Sequence, residues 1–218
     1  MNEVVIKPSL REQFLQGWAQ CRVIFFSAPC GFGKSTAATA LLSNHKTCVF
    51  SAEDPEFLHE PVPKNVDAIV IDSLPALKDP EDRQTLCAWI RENPELHFVI
   101  LSRGVLPGWL MPFRFTGLLQ LIEAGDLLFD RDTVRVFLEK NGCTPTEAEI
   151  NVIIHDSLGY PLALTALSRL MQNGQPYTPE IVGIVQQEIY HHFEDNIFNR
   201  FSMPLRRMLL DIAPFDTF

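Results

Sequence analysis

Residues 27–36 read SAPCGFGKST, and this stretch constrains the fold more than any other part of the chain. It follows CRVIFFS (21–27), an apolar run rich in strand-forming residues, and it leads into STAATALLSN (35–44), which has the alanine and leucine content of a helix. Gly31 and Gly33 lie between them, and glycine lets successive backbone N–H groups curl around an anion. The order of strand, glycine-rich loop and helix predicts a phosphate-binding loop in an α/β sheet.

Residues 28–35 fit the pattern G-x-x-x-x-G-K-[ST], with alanine in place of the first glycine. The start of the following helix adds unpaired N–H donors and the positive end of its dipole. Lys34 is placed to reach the β- and γ-phosphates of a nucleotide, and the Ser35 hydroxyl to bind Mg²⁺. The predicted nucleotide-binding residues of the loop are Ala28, Pro29, Cys30, Gly31, Phe32, Gly33, Lys34, Ser35 and Thr36.

A glycine turn that binds nothing is the simpler interpretation of such a match, so its context matters. The run DAIVID (67–72) has the length of a buried strand and ends in Asp72. An acidic residue at that place is expected to hold the metal through water, although a carboxylate in a strand-end turn is the alternative. Taken together, loop and aspartate favour a nucleotide site in which Ser35 and Asp72 hold the metal.

Further apolar runs alternate with a helix-like segment, as expected of an α/β sheet with helices on both faces. The helix-like segment is EDRQTLCAWIRE, and the strand-like runs are TCVFSA (47–52), DAIVIDSL (67–74), HFVILSR (97–103) and LLQLIEA (118–124). The first two show little polar alternation, which predicts strands buried on both faces, and the last is expected at an edge. Arg103 would face the γ-phosphate from the carboxyl end of the sheet, with a solvated charge as the alternative.

After about residue 129 the β-rich runs stop and only helix-like segments follow. Two have clear start signals: Asp130 before RDTVRVFLEK, and Thr144-Pro145-Thr146-Glu147, which has a capping-box spacing with proline at the first helical position and leads into AEINVIIHDSL. We therefore predict a nucleotide-binding domain at residues 1–128 and a small all-α domain at residues 129–200.

Composition narrows the classes of function. The formal net charge of −9 and the pI near 5.1 argue against a broad nucleic-acid-binding face in this segment. Five cysteines without a CxxC pair suggest neither a disulfide framework nor a zinc site, which fits a reducing cytosol. No apolar run approaches the roughly 20 residues that span a bilayer. The sequence thus predicts a cytoplasmic protein without a membrane partner.

Several of these stretches, in this order, resemble bacterial signal-transduction ATPases of the STAND class. The resemblance is closest to the large LuxR-type transcription regulators typified by the maltose regulon activator, and it extends from about residue 9 to residue 215. It rests on SAPCGFGKST, DAIVIDSL, PELHFVILSR with the proline that follows, LLQLIEAGDLLFDRDTVRVFLEKNG and GYPLALTALSRL.

The resemblance implies an ATP-binding core, a helical domain, a winged-helix domain that begins within residues 201–218 and is cut off, and a DNA-binding helix-turn-helix beyond this chain. ATP or ADP with Mg²⁺ is the implied cofactor, and self-association of the full-length protein is the implied response. Lys34 and Ser35 would bind phosphate and metal, Asp72 the metal and Arg103 the γ-phosphate. Pro161 would contact the nucleotide from the helical side, although a helix-start proline without a ligand is the alternative.

Two departures from the family bear on function. Family members usually carry a second acidic residue after the metal aspartate, whereas this chain has Ser73, a poor base. Hydrolysis would then need Glu53 or Asp54, which follow the strand run at 47–52. The catalytic candidates are therefore Asp72, Glu53 and Arg103, and we expect slow or absent turnover. The span from Lys34 to Asp72 is also short for the family, which predicts a smaller sheet.

Three functions remain open at this point. The leading hypothesis is a switch in which ADP holds a closed form and ATP favours an open, self-associating one. The alternative enzyme is a small-molecule P-loop kinase, which would need a lid bearing arginines, yet the only arginine pair after residue 135 is Arg206-Arg207. The third option is an interaction scaffold whose pocket has degenerated.

Overall fold

A computed structural model describes residues 4–172 and 175–213. Its centre is a five-stranded sheet in the order β2-β3-β4-β1-β5, in which every neighbouring pair is parallel. The strands are β1 (Val23–Ser27), β2 (Thr47–Ser51), β3 (Ala68–Asp72), β4 (His97–Ser102) and β5 (Leu119–Glu123). This sheet confirms the predicted fold class.

Ten α-helices surround and follow the sheet in the part of the chain that the structure describes. Those of the first part are α1 (Pro8–Gln20), α2 (Lys34–Leu41), α3 (Pro80–Glu92), α4 (Met111–Phe115) and α5 (Ala124–Leu127). Those of the second part are α6 (Arg131–Lys140), α7 (Glu147–Ser157), α8 (Pro161–Leu170), α9 (Pro179–Asn196) and α10 (Met203–Ile212).

The sheet is covered on both faces because alternate side chains of its central strands enter two different cores. Phe25 of β1 packs in the cluster that contains Trp89 of α3. Its neighbour Phe26 packs in the cluster that contains Phe14 of α1 and Ala38 of α2. Both phenylalanines are fully buried. This two-sided burial explains why the strand runs read as continuous apolar stretches.

The prediction for β2 was wrong. We expected this strand to be buried on both faces, but it lies at an edge of the sheet, pairs only with β3 and leaves Val49 65% exposed. A five-residue apolar run can have the same composition in an edge strand as in a central strand. The burial of β2 was therefore decided by the order of the strands in the sheet. The edge position predicted for the 118–124 run is confirmed by β5.

The helical part has a core of its own, built around Val134, Leu138, Ile153, Leu164 and Leu167. The Asp130 side chain caps α6, as predicted. The predicted start of the next helix, with Pro145 as its first residue, was two residues too early. Helix α7 begins at Glu147, because the Thr146 hydroxyl accepts from the Glu149 backbone N–H and these two residues form the capping box. Helix α10 lies in the range assigned to a winged-helix start, and residues 214–218 of that range lie outside the described residues. No described helix is long and apolar enough to cross a membrane.

Candidate nucleotide-binding site

The loop between β1 and α2 depends on two glycines in the left-handed region of backbone conformation. Gly31 has φ +82° and Gly33 has φ +77°, values that residues other than glycine rarely adopt. Gly31 is also crowded, since an added Cβ would lie 2.0 Å from the Tyr160 hydroxyl. Both positions therefore require glycine for a conformational reason, and Gly31 for a steric one as well.

The backbone N–H groups of Cys30 to Thr36 donate no hydrogen bond to any other described residue. The amides on either side of this stretch are paired: Ala28 donates to the Ser102 carbonyl at 3.2 Å, and Ala37 to the Gly33 carbonyl at 2.8 Å. A run of unpaired amides at a helix start is the arrangement that receives an anion. The main chain of the loop is thus available to an external acceptor.

The Lys34 side chain is buried, and the residue is 8% exposed. Its Nζ donates to the carbonyls of Ala28 at 2.6 Å and Pro29 at 2.8 Å. Burial lowers the pKa of Lys34; Cys30 and Asp72 oppose the shift, and Arg103 adds to it. The carbonyl pair therefore holds a cationic head group within the loop that presents the amides.

Ser35 and Asp72 are brought together by the sheet. The Ser35 hydroxyl donates to Asp72 Oδ2 at 3.1 Å, and the Ser73 backbone N–H donates to Asp72 Oδ1 at 2.6 Å. Ser73 itself has φ +58°. A hydroxyl beside a carboxylate offers the oxygen ligands that Mg²⁺ accepts, with phosphate oxygens and water completing its shell. The residues present therefore fit the predicted metal position.

The other catalytic candidates, Arg103 and the carboxylates Glu53 and Asp54, lie in different places. Arg103 directly follows β4, which lies between β1 and β3, and it lines the same cavity as Lys34 and Asp72. Glu53 follows the edge strand β2, and its backbone N–H donates to Ser51 Oγ. Neither Glu53 nor Asp54 lines the cavity. The structure thus brings Arg103 to the loop but leaves the two substitute carboxylates outside the site.

A cavity of about 500 Å³ lies between the loop and the helical part. Pro161 lines it, and so do residues that the sequence did not single out. Among the latter are Ile6, Phe129, Phe137, Asn141, Thr165 and His192. They come from the segment before α1, the connection before α6, α6 and the residue after it, α8 and α9. Four of them fall within the stretches 118–142 and 159–170 that carry the family resemblance, but no feature of those stretches marked them as lining a pocket. The cavity combines aromatic side chains such as Phe129 and Phe137, which suit the ring system of an organic ligand, with charged ones such as Lys34 and Arg103.

The turn before α8 closes onto the loop. The Tyr160 hydroxyl donates to the Cys30 carbonyl at 2.8 Å, and its ring lies 5.0 Å from that of Phe32. Burial raises the pKa of Tyr160 to about 12, with Cys30 adding to the shift, so the phenol remains a donor at neutral pH. Gly159 has φ +73°, and an added Cβ would lie 2.0 Å from the Phe129 carbonyl. Sheet and helical part therefore meet at the loop itself.

Comparisons with known proteins extend these observations. A scan against protein-family models and a search of curated proteins find no match. The fold resembles that of domain III of the replication initiation protein DnaA from Thermotoga maritima, with TM-score 0.57, 14% identity and coverage of 85% of this chain and 94% of that one. It also resembles RuvB from the same organism, with TM-score 0.57, 12% identity and coverage of 96% and 83%.

A Walker-type ATPase of Pyrococcus abyssi is similar as well, with TM-score 0.62, 14% identity and coverage of 97% of this chain and 77% of that one. At these identities the likeness concerns the fold. With the parallel five-stranded sheet and the loop after β1, it shows that the chain has the fold of P-loop ATPases.

Proposed function

We propose that this chain is the ATP- or ADP-binding switch module of a bacterial transcription regulator of the STAND, LuxR-type class. The observation that carries the nucleotide site is the run of unpaired amides at Cys30 to Thr36 facing a cavity beside Lys34. Ser35 and Asp72 would hold Mg²⁺, Arg103 would contact the γ-phosphate, and Pro161 would contact the nucleotide from α8. The resemblance in motif order supports the regulator class.

The position of the cavity supports a switch. Its wall is formed by the loop on one side and by α6, α8 and α9 on the other, so a nucleotide would contact both parts at once. A ligand shifts such an equilibrium only by its difference in affinity for the two arrangements. Arg103 would provide that difference between ATP and ADP, and Ser73 in place of a second acid would keep hydrolysis slow.

In this proposal, residues 1–128 form the nucleotide-binding domain, residues 129–200 the helical domain, and residues 201–218 the start of a winged-helix domain. Self-association and DNA binding belong to the full-length regulator, with DNA bound by a further domain. The net negative charge of the chain is consistent with DNA binding by a different domain.

Calorimetric titration with ADP and ATP, each with and without Mg²⁺, tests nucleotide binding. We expect both to bind and Lys34→Ala to abolish binding, because it removes the cation from the loop. Lys64→Ala is the matched control, since Lys64 is an exposed lysine outside the cavity. A wild-type chain that binds neither nucleotide would refute the proposal.

The rate of ATP turnover distinguishes the proposed switch from a kinase. We expect ADP production from ATP to be slow and unaffected by added metabolite pools, and we expect light scattering of the full-length protein to show larger particles with ATP than with ADP. A burst of ADP that depends on a metabolite would instead identify a kinase.

A further inference from the structure

Cys30 joins the phosphate loop to the helical part through two different atoms. Its carbonyl accepts the hydrogen bond from the Tyr160 hydroxyl at the start of α8. Its Sγ lies 3.5 Å from Nε2 of His192, which is near the end of α9. The residue thus receives one contact from each of two helices that are distant from it in sequence.

The orientation of the His192 ring is set by Asn196, one turn further along α9. The Asn196 side-chain nitrogen donates to the His192 carbonyl at 2.9 Å, and it lies 3.3 Å from His192 Nδ1. A carbonyl oxygen only accepts, so the group facing it is the NH₂ of the amide. The same NH₂ makes Nδ1 the acceptor of the neutral ring, and Nε2 therefore carries the hydrogen that faces the Cys30 sulfur.

These contacts have a direct consequence for the anion-binding amides. The backbone N–H of Cys30 is the first of the unpaired run, and that of Gly31 follows. The position of Cys30 sets where both of these donors point. Tyr160 and His192 hold that residue by its carbonyl and its sulfur, so the helical part orients the main chain that would receive phosphate.

We propose that His192 is a positioning residue for the phosphate loop: acting through Cys30, it ties α9 to the loop and so links the placement of the helical part to phosphate binding. The inference rests on the proposed nucleotide site. Because such linkage is reciprocal, a bound nucleotide would in turn stabilise the contact of α9 with the loop.

Four variants of the full chain test this by ADP titration. We expect His192→Ala to weaken ADP binding about threefold to tenfold, the range for loss of one hydrogen bond. His191→Ala is the matched control, because the neighbouring histidine is exposed and does not line the cavity. His192→Gln restores a donor near the Nε2 position and should recover most of the affinity. The double variant Cys30→Ala/His192→Ala should be no weaker than Cys30→Ala alone.

Equal effects of His191→Ala and His192→Ala, or additive effects of Cys30→Ala and His192→Ala, would overturn the proposal. Amide hydrogen exchange of α9, measured without nucleotide, tests the link between Cys30 and α9 independently of whether the chain binds a nucleotide. We expect faster exchange near the end of α9 in both Cys30→Ala and His192→Ala, even though Cys30 belongs to the other part of the molecule. Unchanged exchange in Cys30→Ala would sink the inference whether or not the chain binds ADP.

Discussion

The Ser35 hydroxyl lies 3.1 Å from Asp72 Oδ2 although the two residues are 37 positions apart. Ser35 belongs to the first turn of α2, and Asp72 is the last residue of β3. Strands β1 and β3 are not neighbours, since β4 lies between them. The pair therefore forms across the carboxyl end of the sheet, where ligands of open α/β sheets bind.

Ser35→Ala tests the metal role of this pair. Mg²⁺ should raise the ATP affinity of the wild type on the order of tenfold more than it raises that of the variant, because the variant lacks one oxygen ligand of the metal. Titration of ATP with Mg²⁺ and with a chelator measures that effect. Ser43→Ala, an exposed serine just beyond α2, is the control. A Mg²⁺ effect in Ser35→Ala equal to that of the wild type would contradict the assignment.

Gly31→Ala tests the conformational demand of the loop. The substitution places a Cβ in a backbone with φ +82° and within 2.0 Å of the Tyr160 hydroxyl, so it should both destabilise the fold and displace Tyr160 from Cys30. Gly117→Ala separates the two effects, because Gly117 has φ +72° but nothing near the added Cβ. Urea unfolding should show a cost of about 1–2 kcal/mol for Gly117→Ala and a larger one for Gly31→Ala. Equal costs would argue against the close contact.

Tyr160 should make the stability of the fold depend on pH in the alkaline range. Burial raises its pKa to about 12 in the folded protein, from an ordinary value of about 10. The folded state thus favours the neutral phenol, whose contribution to stability is complete below about pH 10 and is lost as the pH rises toward 12. Stability measured by urea unfolding across this range should fall less in Tyr160→Phe than in the wild type. Tyr190→Phe, at a tyrosine that is 70% exposed, is the control, and an identical fall in all three proteins would contradict the expectation.

Two identical substitutions compare a central strand with the edge strand. Val99 of β4 is fully buried, whereas Val49 of β2 is 65% exposed. Val99→Thr should lower the free energy of unfolding by about 1–3 kcal/mol, because it buries a hydroxyl without a partner. Val49→Thr should change it by less than about 0.5 kcal/mol. Thermal or urea unfolding measures both, and a large cost at Val49 would mean that β2 is covered in solution.

Short-range patterns were sufficient for most of the architecture. The residues between β1 and α2 identified the phosphate loop, the cap signal at Asp130 located α6, and the signal at Thr144–Glu147 placed the start of α7 two residues early. These features were accessible because glycine conformation and capping are decided by a few neighbouring residues. Asp72 was recognised from the strand that it ends. Its contact with Ser35, which the structure shows, agrees with the rule that parallel strands present their carboxyl ends at one edge.

Tertiary structure alone decided which apolar strand lies at an edge, as the exposure of Val49 shows, and which residues complete the cavity. His192 carries no motif, and its contact with Cys30 exists because α9 packs back onto the loop across 162 positions of sequence. Glu53 follows one strand run and Asp72 ends another, but only Asp72 lines the cavity with the loop. Such differences depend on how the strands are ordered and where the helices pack, which are cooperative outcomes of burial in the whole chain and not properties of any short segment.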